Sequence, residues 1–338
     1  GIEQTVFVPS EILNNPDASR ALRFGEAGTV QHGISGAWIA DPAYKAERGT
    51  GTGSSVVTAR KMNVYGGMRM GGKSYYGMDL MNPRKPELLF RIGADQSGFS
   101  RMGQTWSKPV VANIRYQDKI RRVLIVGGGY DQCYEYPRFS LGSANPAEFG
   151  GGCNKTAAEG NAVYIVDAQT GERLWWTSNT GSNLNNANLV HSIPSRISTL
   201  DRDADGLVDH LYFGDLGGQV FRIDLNNAKG TPASSFGKNV IRLANLATSN
   251  TGAAVVSGDA PRFYQPLTIT IHDEGSDTFI VVGIASGDRS TPLDVAPSRG
   301  RESLKPFDPI QNRPTNKVYG LIDRDFIEPE LIRGHYTR

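Results

Sequence analysis

Cysteine is nearly missing from this chain: Cys133 and Cys153 are the only two among 338 residues. Neither has a His or Cys neighbour at zinc-ligand spacing, which excludes a structural zinc site. No apolar run reaches the roughly 18 residues of a membrane-crossing helix, so nothing here spans a bilayer as a helix. Neither sign of charge is in excess. Lys and Arg number 36 and Asp and Glu 34, interspersed, which leaves a net charge of +2 and no electrostatic case for nucleic acid or an anionic membrane. No serine sits in Gly-x-Ser-x-Gly, and the five histidines, His191 and His210 among them, never recur at a metal-ligand spacing. They read as satisfied surface or inter-sheet residues. Segments able to hold a ten-residue amphipathic helix are also few, because 40 glycines and 18 prolines interrupt the chain without collagen's period. That composition points to an all-β protein rich in turns.

The most informative stretch present is Asp201-Arg202-Asp203-Ala204-Asp205-Gly206-Leu207-Val208-Asp209. Carboxylates fall at loop positions 1, 3, 5 and 9, with glycine at 6 and an apolar residue at 7. Calcium wants six to eight oxygens at about 2.3–2.6 Å, and a short loop supplies them by aiming alternate carboxylates inward and lending the position-7 carbonyl. Four like charges this close repel one another unless a cation or water separates them. A solvated acidic turn is the plainer alternative; the glycine and the spacing favour one Ca2+ ion held by Asp201, Asp203, Asp205 and Asp209 through side chains and by Leu207 through its carbonyl. The loop departs from an EF-hand at position 12, which is Tyr212 instead of glutamate. Its flanks read as strands, with Ile197 and Thr199 before it and Leu211-Tyr212-Phe213-Gly214 after. The ion is therefore expected in a β-hairpin connection, with Asp209 giving two oxygens and magnesium suited less well. Such a site clips a sheet together; it does not open helices.

An internal repeat emerges when strands are aligned by their punctuation. One unit starts at proline, at Pro109, Pro194 and Pro266. A polar turn follows: Gln117-Asp118-Lys119, the acidic loop, and Asp273 to Asp277, which has too few spaced carboxylates for a second cation. An apolar strand ending in glycine comes next, as Leu124–Gly127, Leu211–Gly214 and Ile280–Gly283. A third strand carries an aromatic residue and ends in aspartate, as Val163–Asp167, Val220–Asp224 and Val318–Asp323. An earlier copy shows as Val64-Tyr65-Gly66 and Tyr75–Asp79, and one fourth strand is clear at Gly171–Trp176. Four antiparallel strands in series describe a propeller blade, and radial closure removes exposed sheet edges. Four units are readable and the length allows six to eight. A sandwich or an open stacked-sheet array is the structural alternative.

Three other signals carry less. Gly67 to Ser74 matches the Walker A pattern letter for letter, but a strand-like segment follows where phosphate binding needs a helix N-terminus, so we read a glycine-rich hairpin. Val126-Gly127-Gly128-Gly129 lacks the third glycine and the helix of a dinucleotide fold. Trp175 and Trp176 read as packing residues. Cys133 and Cys153 both lie in a polar insertion from Gly127 to Gly160. A bridge closing it would contribute about 3 kcal/mol in an oxidising compartment; two free thiols are the other possibility, and we favour the bridge.

Tyr164-Ile165-Val166-Asp167-Ala168-Gln169-Thr170-Gly171 with Trp175 resembles a blade of quinoprotein dehydrogenases, which would make the chain a redox enzyme. Those enzymes usually carry adjacent cysteines and calcium ligands from separated positions, and neither holds here. The fuller resemblance is to the C-terminal domain of the PilY/PilC family of type IV pilus tip adhesins and assembly factors. It runs from Thr5–Ser10, similar to that family's opening strand, through Gly66-Gly67 to Asp79, Thr105–Val110 and the acidic loop. It continues through Gly214-Asp215-Leu216-Gly217-Gly218-Gln219-Val220-Phe221-Arg222-Ile223-Asp224 and ends near Lys317–Leu321. The resemblance implies a modified propeller of seven blades with long inter-strand insertions, spanning 1–338 as one calcium-binding domain. The chain then reads as the C-terminal fragment of a larger exported protein whose targeting signals lie outside it. It further implies export through the periplasm to the outer membrane and pilus tip, assembly with minor pilins, calcium-linked control of pilus extension and retraction in twitching motility, and attachment to host cells or abiotic surfaces, all without catalysis. The Arg-Gly-Asp sequence by which one member is reported to engage integrin does not occur.

Overall fold

The computed structural model describes residues 3–24, 32–48, 55–136, 139, 141–142, 151–247, 260–275, 277–289, 316–324 and 326. Parts of the expected 1–338 domain, of the Gly127 to Gly160 insertion and of the Asp273 to Asp277 turn lie outside these residues. Four sheets form in chain order. The first joins β1 (Trp38–Arg48), β2 (Ser55–Gly67), β3 (Ser74–Asp79) and β4 (Glu87–Gly93). The second joins β5 (Val110–Tyr116), β6 (Lys119–Gly127), β7 (Ala162–Asp167), β8 (Arg173–Ser178) and the short parallel β9 (Leu184–Asn185). The third holds β10 (Ser198–Leu200), β11 (His210–Gly214), β12 (Gln219–Leu225) and β13 (Gly237–Asn245). The fourth holds β14 (Thr268–Glu274), β15 (Asp277–Ala285) and β16 (Val318–Asp323).

Each sheet is a meander of sequence neighbours, which is what short turns between antiparallel strands produce. Successive side chains of a strand point to opposite faces, and the second sheet is buried on both. Val123, Ile125, Val163, Ile165 and Trp175 enter one core with Leu211 and Phe213 of the third sheet and Phe236 just before β13. Their alternates Leu124, Val126, Tyr164, Val166 and Trp176 enter another with Tyr65, Tyr75, Phe90 and Ile92 of the first. The first core continues through Phe213 and Phe221 to Ile280, Val282 and Ile284 of the fourth sheet. Four-stranded meanders packed face to face in series are propeller blades. The described residues form four sheets of four, five, four and three strands, which do not close on themselves, so the expected seven blades are not reached among them.

The repeat read from the sequence lands on these strands. Its glycine-closed second strands are β6, β11 and β15, and its aspartate-ended third strands are β3, β7, β12 and β16. Boundaries shift by about two residues at β8 and β14 and by more at two places. Thr5–Ser10 is not a strand: the backbone runs unpaired to Pro9, and Ser10 opens the helix α1 (Ser10–Leu13), followed by α2 (Pro16–Phe24). Side-chain packing holds this segment instead, with Phe7 edge-on to Tyr76 at 5.1 Å and Glu11 bonded to Arg91 of β4. The strand expected from Pro194 begins only at Ser198. The run Gly214 to Asp224 spans the end of β11, a tight turn over 215–218 and most of β12. Buried Asp215 accepts from the Gly217 and Gln219 amides through Oδ1, both at 2.9 Å. Gly217 must lack a side chain, because a Cβ there would lie 2.0 Å from the His191 ring.

Gly67 to Ser74 passes from β2 through one 3-10 turn, Arg69–Gly71, directly into β3, so no helix terminus faces it. Gly129 pairs with Ile193 in an isolated bridge instead of opening a helix. Cys133 and Cys153 are joined, with Cα atoms 5.7 Å apart. The bridge packs with Tyr130, Tyr134, Phe139 and Tyr264 in a small aromatic cluster.

Candidate metal centre

Residues 201–209 connect β10 to β11, and the pair Leu200↔His210 closes the hairpin at its base. The connection is too long for a two-residue turn, so the backbone must bend within it. It does so at Ala204 and Gly206, with φ of +59° and +88°. Only glycine adopts the second without strain. The carboxylates stitch the bend. Asp201 Oδ2 accepts from Gly206 N at 2.8 Å, Asp203 Oδ1 from Asp205 N at 3.2 Å, and Asp205 Oδ1 from Leu207 N at 2.8 Å. Asp209 Oδ2 accepts from Arg202 N at 2.8 Å, drawing the end of the loop back to its beginning.

Asp201, Asp203 and Asp209 each bring one carboxylate oxygen within 4.8 Å of the others. Oxygens on opposite sides of a calcium-sized ion stand about 4.6–5.2 Å apart, so the trio has the spread a divalent cation needs. Asp209 is 1% exposed, and Asp201 Oδ1 is buried and accepts no hydrogen bond. A buried acceptor without a donor costs about 1–3 kcal/mol, and a cation among the three carboxylates would satisfy it. The residues present fit such an ion. Asp205, expected as the position-5 ligand, lies outside the convergent trio and is exposed. Its carboxyl sits above the usual value, through partial desolvation first and then through the charges of Asp203, Asp209 and Asp201, while the Leu207 amide opposes the rise. Leu207 is buried at 3% exposure, which anchors the position-7 backbone from inside.

Neighbouring strands brace the loop through residues that sequence reasoning missed. Val208 N donates to Asn113 O of β5 at 3.0 Å. Asn227, two residues past β12, donates through Nδ2 to Val208 O at 2.8 Å and to Asp209 Oδ1 at 3.2 Å. Its own Oδ1 accepts from Arg115 N of β5 at 2.9 Å, so the amide is fixed from both ends. The general signal for such a residue is a buried amide beside a ligand; nothing in its local sequence marks it. Both singled-out histidines are satisfied packing residues. His191 Nδ1 bonds Tyr134 Oη at 2.8 Å, and burial holds its pKa below the ordinary value. His210 Nδ1 bonds Asp224 Oδ1 at 2.7 Å.

Face-packed antiparallel blades, one carrying a loop of three convergent carboxylates between its first two strands, define a propeller with an acidic hairpin. The chain belongs to the family described as the PilY1 beta-propeller domain, whose family model matches residues 51–264, more than half of its length and all of the loop. Among curated proteins it is similar to the type IV pilus biogenesis factor PilY1 of two Pseudomonas aeruginosa strains, at 25% identity over 283 residues. That alignment covers 82% of this chain and 19% of the relative, so the chain spans about a fifth of the relative's length. The protein of a third strain aligns at 23% identity over 67% of this chain. Among solved structures, the Pseudomonas aeruginosa PilY1 C-terminal domain superposes with a TM-score of 0.52 at 20% identity. It covers 85% of this chain and 49% of that one, a likeness of fold.

Proposed function

We propose that this chain is the calcium-binding propeller domain, 1–338, of a type IV pilus biogenesis factor, acting by binding and not by catalysis. In this reading one Ca2+ ion is held by Asp201, Asp203 and Asp209, with Asp205 and the Leu207 carbonyl completing its shell as the loop tightens. The observation that carries the reading is the buried, donor-less Oδ1 of Asp201, one of three carboxylates that converge inside the segment that the family match spans. Supplied to the loop, the ion neutralises its charge and fixes the β10–β11 hairpin. Binding only the ordered state stabilises it by mass action. The fixed hairpin sets a surface for minor pilins and for tip assembly at the cell surface, where the same domain supports extension, retraction and attachment to host or abiotic surfaces.

The test is complementation. A strain lacking the full-length protein is supplied with wild type or with Asp201→Ala in this chain's numbering, and surface pili and twitching zones are measured. Wild type is expected to restore both, and Asp201→Ala to produce folded protein with altered piliation. Restoration by the variant equal to wild type would contradict the role of the ion. Failure of the wild-type gene to restore pili would contradict the pilus role.

A further inference from the structure

We infer that Arg202 is a latch that couples the metal loop to the seam between the third and fourth sheets, so that cation occupancy and the seating of β16 rise and fall together. The first half rests on the cation reading, and the second on hydrogen bonds of the fold itself. Arg202 sits in sequence between two of the proposed carboxylate ligands, Asp201 and Asp203. Its backbone N–H holds Asp209. Its guanidinium reaches across the sheets instead, with Nη1 donating to Phe326 O at 3.0 Å and meeting His210 Nε2 at 3.2 Å. Phe326 follows β16 and is 2% exposed, with its ring edge-on to His210 at 6.4 Å between centroids.

A guanidinium can only donate, so His210 Nε2 accepts and the ring carries its proton on Nδ1. That proton goes to Asp224 Oδ1 at 2.7 Å. Asp224 also accepts from Arg222 Nε at 2.9 Å. Arg222, fully buried, donates through Nη1 to Asp323 Oδ1 at 2.6 Å, and Tyr212 Oη donates to Asp323 Oδ2 at 2.9 Å. Asp323 is the last residue of β16. Two routes therefore run from the loop to the fourth sheet: Arg202 to Phe326 directly, and Arg202 through His210, Asp224 and Arg222 to Asp323.

The two routes give the seam a stake in the loop's geometry. Closing the loop on a cation draws Asp201, Asp203 and Asp209 together and fixes the backbone from which the Arg202 side chain springs. An open loop lets that side chain leave Phe326 O. At Phe326 itself the contact that stays is apolar packing in the shared core, which does not fix direction, while Asp323 keeps its bonds to Arg222 and Tyr212. In a buried network, a donor that withdraws leaves its acceptor unsatisfied, so release of the latch loosens β16.

Amide hydrogen exchange tests this directly, because it reads the opening of individual elements. Wild type and Arg202→Ala are compared with EGTA and with saturating CaCl2, following peptides covering 201–209 and 318–326. In wild type, calcium is expected to slow exchange in both. In Arg202→Ala the three ligands and the Arg202 amide persist, so titration calorimetry shows calcium binding retained and 201–209 still gains protection, while 318–326 no longer responds. Without metal, 318–326 exchanges about tenfold faster or more in Arg202→Ala than in wild type, the loss of a charge-assisted bond. Arg202→Lys, which keeps charge and one donor, falls between, and serves if the alanine variant does not fold. Equal calcium protection of 318–326 in variant and wild type overturns the latch. If wild type binds no calcium, the cation reading fails, and the metal-free comparison alone decides whether Arg202 holds the seam.

Discussion

At the scale of single residues, the acidic loop was legible because its chemistry is local. Asp201, Asp203 and Asp209 converge as the spacing predicts, and Gly206 takes the positive φ that position 6 demands. Asp205, read from the same spacing, instead accepts from the Leu207 amide through Oδ1 and stands outside the convergent trio. Asn227 and Arg202 were not legible at all, because their partners lie on other strands and only folding brings them to the loop. From Asn227's position we expect Asn227→Ala to weaken calcium binding about tenfold or more, as loss of a ligand-orienting partner does, while Asn226→Ala serves as a neighbouring control. Titration calorimetry of the two variants checks this, and an unchanged affinity for Asn227→Ala would contradict the bracing role.

Among elements, the aspartate that ends each third strand explains why that strand was the easiest to read. Asp167 Oδ1 accepts from the Gln169 and Thr170 amides, and Asp79 Oδ1 from the Met81 amide, so the residue turns the chain as the strand stops. Asp224 and Asp323 occupy the same place but bond Arg222 at the seam. β1, β4, β13 and α2 escaped notice. β1 and β13 are largely exposed or half-buried and show no clean alternation, and the nine-residue α2 follows a proline-broken stretch. The β1–β6 contact yields a pH prediction. Buried Asp41 bonds Arg122 at 2.6 Å and Lys61 at 2.5 Å; burial alone would raise its carboxyl, and these cations outweigh that and hold it below the ordinary aspartate value. A depressed folded-state value contributes stability above the ordinary carboxylate pKa and loses it as pH falls through the folded one. Urea denaturation at about pH 6 and about pH 3, on either side of the carboxylate range, should therefore show wild type losing more stability on acidification than Asp41→Asn. Parallel losses would contradict the assignment.

For the whole molecule, the face-packed series of sheets was readable as a propeller because glycine, aromatic and aspartate recur in register, whereas the number of blades was not, since insertions break the period. Sheet two shows why the fold holds: a strand pair such as β6 and β7 spends alternate residues on two cores, so neither neighbour can leave without exposing one. The Cys133–Cys153 bridge staples the insertion beside the aromatic cluster of Tyr130, Tyr134 and Tyr264. Closing a loop of 20 residues is worth about 3 kcal/mol in the chain-entropy account. The Cys133→Ser, Cys153→Ser double variant should accordingly melt at a lower temperature than wild type in differential scanning calorimetry, and wild type treated with dithiothreitol should follow it. Coincident melting of all three samples would remove the bridge from the list of stabilising contacts.

The central claim is that a divalent cation belongs among Asp201, Asp203 and Asp209. Calorimetric titration of the metal-free chain with calcium, beside the same titration of Asp201→Ala, tests it most directly. The account predicts one saturable site in wild type and none in a variant whose circular dichroism is otherwise unchanged. Binding of equal strength in both proteins, or in neither, would contradict it.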